Sequence, residues 1–214
     1  MEKHELNKTK RVFNLIIVDE SGSMSIIRRQ AFSGMNETLQ TIRQMQEKFP
    51  DQGQRVTLLT FDSDHTTWHY DNTPSSQTAD LQWNAYNPCG CTPLYDAMGA
   101  AISKLNAQVK EGDNVLVTVI TDGQENSSHE WTLSMIKTMI EKLKKQRWTF
   151  TLIGTDNLDV ETMARNFSID EHLKFQQTEE GTQAMFAHER CCRRRYNSCV
   201  EADENMPVGS FFAK

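Results

Sequence analysis

The change from apolar to polar residues that decides the fold lies in the stretch Leu15-Ile16-Ile17-Val18-Asp19-Glu20-Ser21-Gly22-Ser23-Met24. Four consecutive apolar residues, three of them β-branched, are followed at once by carboxylates, hydroxyls and a glycine. A short apolar run with polar boundaries is typical of a strand that is buried on both faces of a sheet. The polar residues then lie at the carboxyl end of that strand, which is where open parallel sheets collect their ligands.

Apolar runs and helical repeats alternate along the rest of the chain. Met35, Leu39 and Ile42, for example, are spaced by four and three residues, which places them on one helix face. The alternation predicts an α/β fold: a mostly parallel sheet of about six strands, with helices on both faces. Residues 66–70 are expected to form a short antiparallel edge strand. The other expected strands span residues 12–18, 55–61, 115–120, 148–153 and 173–175, and the expected helices span residues 27–49, 94–109, 133–145, 160–167 and 182–195.

Charge and hydropathy exclude several classes of protein. The 214 residues include 23 Lys and Arg against 29 Asp and Glu, so the formal net charge is −6. This balance argues against nucleic-acid binding, which needs a basic face. The longest apolar runs are far shorter than the roughly 20 residues of a membrane-spanning helix, and residues 1–8 lack the apolar stretch of a signal peptide. We therefore expect a cytoplasmic protein without a membrane partner, whose five cysteines are reduced thiols.

Two further polar segments lie at the ends of expected elements. Thr121-Asp122-Gly123 follows the strand at 115–120, and Gly90-Cys91-Thr92-Pro93 precedes the helix at 94–109. In an open parallel sheet, such loops meet at one edge. Their carboxylate and hydroxyl oxygens are hard ligands, which suit Mg²⁺ or Mn²⁺ better than Zn²⁺. The candidate metal ligands are Asp19, Ser21, Ser23, Thr92 and Asp122.

This set of residues resembles the metal-ion-dependent adhesion site of von Willebrand factor type A domains. The resemblance rests on three segments in the same order along the chain, Ile17 to Met24, Gly90 to Leu94 and Ile120 to Gly123. It implies that the aspartate, both serines and the threonine of the first two segments surround the metal. It also implies that Asp122 often acts through water. Because only two of the five ligands are charged, the ion can accept an external carboxylate as a further ligand.

The resemblance also implies a fold and a function. It covers roughly residues 11–195, where it implies a Rossmann-like fold, and it leaves residues 196–214 as a C-terminal tail. It implies a module that binds a protein partner through an Asp or Glu of that partner, and it does not imply an enzyme. The chain looks most similar to bacterial cytosolic members of the family.

Two other functions are weighed against this one. A metal-dependent phosphoester hydrolase on a similar sheet needs Asp19 as its nucleophile and an acid two positions later, where this chain has Ser21. A structural scaffold with a vestigial site is the second alternative, and the presence of all five oxygen ligands counts against it. Taken singly, the aspartate and the serines could also be ordinary helix caps.

Two other groups of residues could bind a softer metal. His65 and His69 have a spacing that can bind zinc on a helix, but their surroundings indicate extended chain. A second possible zinc cluster lies near the C-terminus, followed by a basic run that is expected to be either a solvated helix end or a patch for an anionic partner. The residues of that cluster are His188, Cys191, Cys192 and Cys199, and those of the basic run are Arg190, Arg193, Arg194 and Arg195.

Overall fold

A six-stranded mixed sheet forms the centre of the computed structural model, which describes residues 10–204 and 206–213. In chain order the strands are β1 (Lys10–Asp19), β2 (Gln52–Phe61), β3 (Thr66–Pro74), β4 (Asn114–Thr121), β5 (Trp148–Thr155) and β6 (Glu171–Phe175). Across the sheet their order is β3-β2-β1-β4-β5-β6. All neighbouring strands are parallel except β3, which pairs antiparallel with β2 at the edge. The predicted α/β architecture is confirmed.

Helices cover both faces of this sheet, as the sequence predicts. Within the described residues the α-helices are α1 (Arg28–Lys48), α2 (Leu94–Asn106), α3 (Leu133–Leu143), α4 (Val160–Phe167) and α5 (Glu179–Glu201). Alternate residues of β1 point to opposite layers: Leu15 and Ile17 pack in the cluster formed with α2, α3 and α4, whereas Ile16 and Val18 pack with α1 and α5. The fully apolar run of β1 is therefore buried on both sides. No helix of the described chain is long and apolar enough to cross a bilayer, and the cytoplasmic location stays a prediction.

The strand order creates a crevice at one edge of the sheet. The chain crosses from β1 to β2 on one side, whereas β4 pairs with β1 on the other side. Val18 pairs with Ile120, so the residues that follow these two strands leave the sheet side by side. This point, at which the order of strands reverses, is where open α/β sheets bind their ligands.

Several elements differ in length from the sequence prediction. The edge strand β3 continues to Pro74, beyond its expected end at residue 70, because Val56 and Arg55 of β2 pair with Thr73 and Pro74. Helix α2 ends at Asn106, earlier than expected. Helix α5 begins before residue 182 and continues to Glu201, well beyond the expected end at 195.

The segment that follows the longer α5 packs against the core of the domain. Phe211 is fully buried, in a cluster with apolar residues of β1, β4 and α5. Its backbone N–H donates to the carboxylate of Glu171, and the guanidinium of Arg195 donates to the carbonyls of Ser210 and Phe211. Residues 206–213 thus cover one edge of the core, although the division at 195/196 into domain and tail stays a prediction.

One arginine of the expected basic run is buried, so the run is not simply a solvated helix end. Arg193 is 0% exposed and lies between α5 and the sheet. Its guanidinium donates to Glu189, one turn earlier, at 2.5 Å and to the side chains of Asn14 and Thr118. Buried charges are tolerated when they are paired and hydrogen-bonded in this way. For Arg193, both expectations, a solvated helix end and a patch for an anionic partner, are therefore wrong.

Candidate functional site

Asp19 is the last residue of β1, and its carboxylate is completely buried at the crevice. One carboxylate oxygen accepts the backbone N–H of Ser21 at 2.7 Å, and the other accepts the hydroxyl of Thr121 at 2.5 Å. Tyr86 donates its phenolic hydroxyl to the backbone carbonyl of Asp19 at 2.7 Å. The carboxylate is therefore held by neutral groups on both of its oxygens.

The two serines and the second aspartate lie next to this carboxylate. The hydroxyl oxygens of Ser21 and Ser23 are 3.3 Å apart, and Ser23 donates its hydroxyl to Asp122 at 2.7 Å. Ser23 is exposed whereas Ser21 is 2% exposed, so the group opens to solvent on the Ser23 side. Residues 99 positions apart in the chain are thus in direct contact.

Thr92 enters the same group from the loop before α2. A methyl group built on Gly123 would lie 2.7 Å from the hydroxyl oxygen of Thr92 and 3.5 Å from a carboxylate oxygen of Asp19. The main chain of Thr92 is fixed by Asn126, which accepts its N–H through the side chain and donates its own N–H to the Thr92 carbonyl. Gly123 is therefore required at a point where the threonine and the aspartate approach the same space.

The loops that carry these residues are joined through their backbones. The N–H of Gly22 donates to the carbonyl of Gly90 at 3.1 Å, and the N–H of Cys89 donates to the carbonyl of Glu20 at 2.9 Å. The side chain of Glu20 accepts the backbone N–H of Asn87. Glu20 therefore anchors the loop before Thr92 through its side chain and its backbone carbonyl.

Glu125, the other acidic residue that flanks the site, has a similar bracing role. Its carboxylate accepts backbone N–H groups of Ser127, Ser128 and Tyr95. It thereby joins the loop after β4 to the start of α2.

The site contains carboxylates whose ionised form is disfavoured. Burial raises the pKa of Asp19 to about 6, although hydrogen bonds from Thr121 and Ser21 partly oppose the effect. Burial also raises the pKa of Asp122, against hydrogen bonds from Ser23 and Gln177. Neither carboxylate forms an ion pair with any residue that the structure describes. A divalent cation is the species that such a group of oxygens can hold.

Sequence reasoning missed Tyr86 and Gln177, which shape this site, and it did not identify the bond of Asn126 to Thr92. Tyr86 and Asn126 fix the backbones of Asp19 and Thr92 as described above. Gln177, in the loop before α5, donates its side-chain amide to Asp122 at 2.5 Å. Their identities carry no motif; only the pairing of distant loops shows their role.

The other candidate metal clusters have different outcomes. His69 lies on β3, where its ring contacts the hydroxyl of Thr60 at 3.0 Å. Among the described residues, one group of three or more side chains could hold an ion, and His69 is not part of it. That cluster consists of Asp62, Asp64 and His65. The four C-terminal residues all lie on α5, but the described chain does not bring three of them into one such group.

Comparison with known protein families and structures agrees with this architecture. A family model described as von Willebrand factor type A domain matches residues 15–188. The vWF domain of the type V pili tip protein Mfa5 from Porphyromonas gingivalis superposes with a TM-score of 0.63 at 10% identity, over 93% of this chain and 98% of that chain. The SpRpn10 VWA domain superposes with a TM-score of 0.57 at 10% identity, over 85% and 95% of the two chains.

A third similar structure is larger than this chain. Proximal thread matrix protein 1 from the mussel byssus superposes with a TM-score of 0.58 at 15% identity, over 84% of this chain. The chain spans only 45% of that protein. No curated protein matches the chain. At these low identities, the structural likenesses show the fold alone.

Proposed function

Because the chain belongs to the von Willebrand factor type A domain family, whose domains are protein-interaction modules, we propose that it binds a protein partner through a divalent metal ion. The partner contributes an Asp or Glu side chain as a ligand of that ion. One observation carries the proposal: Asp19 and Asp122, two carboxylates that have no ion pair with any residue of 10–204 or 206–213, lie beside three hydroxyl groups at the crevice of the sheet.

The residues at the crevice fit Mg²⁺ or Mn²⁺. The donor set of Asp19, Ser21, Ser23, Thr92 and Asp122 consists entirely of hard oxygens. The absence of a side chain at Gly123 supports the fit, since a methyl group there would enter the space between the threonine hydroxyl and the first carboxylate. When bound, the ion supplies positive charge that attracts an external carboxylate.

The chain's own residues define how that carboxylate arrives. Asp19 lies at the bottom of the group, fixed through both oxygens and fully buried, whereas Ser23 is exposed at its mouth. A partner side chain therefore approaches from the Ser23 side. The two carboxylates offset the charge of the dication, but five donors leave open at least one of the roughly six coordination positions of Mg²⁺, and the partner's carboxylate fills that position.

Calorimetry tests the metal. We expect Mg²⁺ or Mn²⁺ to bind the purified protein with one-to-one stoichiometry, Asp19→Ala to abolish binding and Thr92→Ala to weaken it. Glu130→Ala is a matched control, because Glu130 is an exposed carboxylate in the loop that follows Asp122. Undetectable binding at millimolar metal, or equal binding by wild type and Asp19→Ala, would contradict the proposal.

Affinity capture tests the partner. Wild-type protein immobilised in Mg²⁺ is compared with wild type in EDTA and with Asp19→Ala in Mg²⁺, in lysate from the native organism. We expect a protein that is retained only in the first case and whose retention is lost when its own acidic residues at the contact are changed to amides. Retention that is equal in all three cases would contradict a role for the metal.

A further inference from the structure

A second group of metal-ligand side chains lies on the loop after β2, outside the crevice group. The ligand atoms of Asp62, Asp64 and His65 all lie within 4.8 Å of one another. A thiol from a different loop contacts one member of this group, because Cys89 donates to a carboxylate oxygen of Asp62 at 3.2 Å. Asp62 therefore lies between the thiol and the other two ligand side chains.

This donor set differs in chemistry from the crevice group. A thiol and an imidazole are the ligands that Zn²⁺ prefers, and carboxylate oxygens complete many zinc sites, whereas Mg²⁺ binds only hard oxygens. From the usual zinc–ligand bond lengths, ligand atoms in a tetrahedral site lie about 3.3 to 3.8 Å apart. Oδ2 of Asp62 lies 3.2 Å from the sulfur of Cys89, and Oδ1 of the same carboxylate lies 3.8 Å from Nδ1 of His65. An ion held by all four side chains therefore requires the exposed His65 and Asp64 side chains to turn towards the Cys89 side of Asp62.

Asp62 is the fixed member of the group. Its side chain is only 5% exposed, and one of its carboxylate oxygens accepts the backbone N–H groups of Asp64 and His65 at 2.6 and 2.8 Å. The other oxygen faces Cys89. His65 is 75% exposed and Asp64 is also exposed, so both side chains can turn towards an ion without disturbing the core.

We propose that Asp62, Asp64, His65 and Cys89 form a second metal site, selective for Zn²⁺ or a similar borderline transition metal. On binding, the Cys89 S–H bond breaks, its proton leaves to solvent, and the thiolate becomes a metal ligand. The site adjoins the crevice, because the backbone N–H of Cys89 donates to the carbonyl of Glu20. It does not depend on the proposed magnesium site, which uses none of its four residues.

Cobalt provides the test, because Co²⁺ bound by a thiolate has a charge-transfer absorption band that Co²⁺ bound by oxygens lacks. We expect the full chain, reduced and free of air, to show this band with one equivalent of Co²⁺, and Zn²⁺ but not Mg²⁺ to remove it. Cys89→Ser should abolish the band, and His65→Ala should weaken Co²⁺ binding by more than about tenfold.

Two variants serve as controls. Cys91→Ser should keep the band, because Cys91 is also exposed and contacts this loop through its backbone N–H. Asp19→Ala should also keep it, which separates this site from the magnesium site. Absence of a thiolate band in the wild type, its persistence in Cys89→Ser, or unchanged affinity in His65→Ala would overturn the proposal.

A measurement on unmodified protein makes the test independent of how the variants fold. We expect Zn²⁺ to slow alkylation of Cys89 by iodoacetamide at least about tenfold relative to alkylation of Cys91 in the same sample, as read by peptide mass spectrometry. Equal slowing of both thiols, or of neither, would overturn the site.

Discussion

Replacing Asp19 by Asn should stabilise the metal-free protein while it removes metal binding. Burial raises the pKa of this carboxyl from 3.8 to about 6 in the folded state. When the carboxyl is ionised, a pKa difference of that size between the folded and unfolded states lowers the free energy of unfolding by about 3 kcal/mol. Asparagine resembles the protonated acid, so in EDTA at about pH 7.5 we expect the variant's free energy of unfolding to be higher by about 3 kcal/mol.

The hydrogen bonds around Asp19 accommodate an amide. The side-chain oxygen of asparagine can accept the N–H of Ser21, as the carboxylate does now. Its NH₂ group then faces the hydroxyl of Thr121, which can accept from it and donate to the carbonyl of Gly123, 3.1 Å away. No buried polar atom is left without a partner by the exchange.

The stability difference between wild type and Asp19→Asn should depend on pH in a definite direction. Because the folded pKa lies above the unfolded one, the folded wild type binds more protons than the unfolded chain between about pH 4 and pH 6. Its stability therefore falls, through this group, as the pH rises across that window. The advantage of Asp19→Asn should be near zero at about pH 4 and complete above about pH 7.

Urea unfolding followed by circular dichroism, in EDTA and in Mg²⁺, measures this difference. Saturating Mg²⁺ should raise the stability of wild type, by about 2.7 kcal/mol at a hundred times the dissociation constant, and leave Asp19→Asn unchanged. A variant that is less stable than wild type at pH 7.5 in EDTA, or a difference that does not change with pH, would refute the reasoning.

Three further substitutions probe the site and the scaffold. Gly123→Ala should weaken Mg²⁺ binding by at least about tenfold in calorimetry without a large loss of stability, because the new methyl group meets the hydroxyl of Thr92; unchanged affinity would argue against this space as the metal site. Arg193→Met should cost about 3 to 5 kcal/mol in urea unfolding, since it leaves Glu189 buried and unpaired, and a second change of Glu189 to Met should restore much of the loss. Phe211→Ala should cost about 3 kcal/mol and leave Mg²⁺ affinity unchanged, whereas a negligible loss would show that residues 206–213 do not complete the core.

The sheet could be predicted from the sequence because its information is local. The apolar run of β1, and the similar run of β4, fix two neighbouring strands, and the polar residues after them mark the ligand-binding edge. The helix face of α1 follows from the spacing of its apolar residues. The prediction that distant loops converge also follows, since parallel strands place their carboxyl ends together.

Side-chain partners across the fold could not be predicted in this way. Gln177 contacts Asp122 from a loop 55 positions away, and nothing in the residues around it marks this role. The end of α5 was missed although Cys192, Tyr196 and Val200 keep helical spacing, because what they pack against is the 206–213 segment, which has no periodicity of its own. Such pairings depend on tertiary contact and have no local signal.

Two sites of almost completely buried charge in the described chain can be compared to show why the crevice favours a cation. Glu189 is as buried as Asp19, at 1% and 0% exposure, yet Glu189 has the guanidinium of Arg193 at 2.5 Å. Within the part of the chain that the structure describes, the carboxylate of Asp19 has neutral donors alone, and the second carboxylate near it, Asp122, makes its ionisation still less favourable. Buried charges are normally paired or coordinate metals. The charge of Glu189 is paired within the fold, by Arg193 of α5, whereas under our proposal the charge at the crevice is paired by an external ion. That difference predicts opposite signs for the stability changes in Arg193→Met and Asp19→Asn, a contrast that neutral capping at Asp19 would not produce.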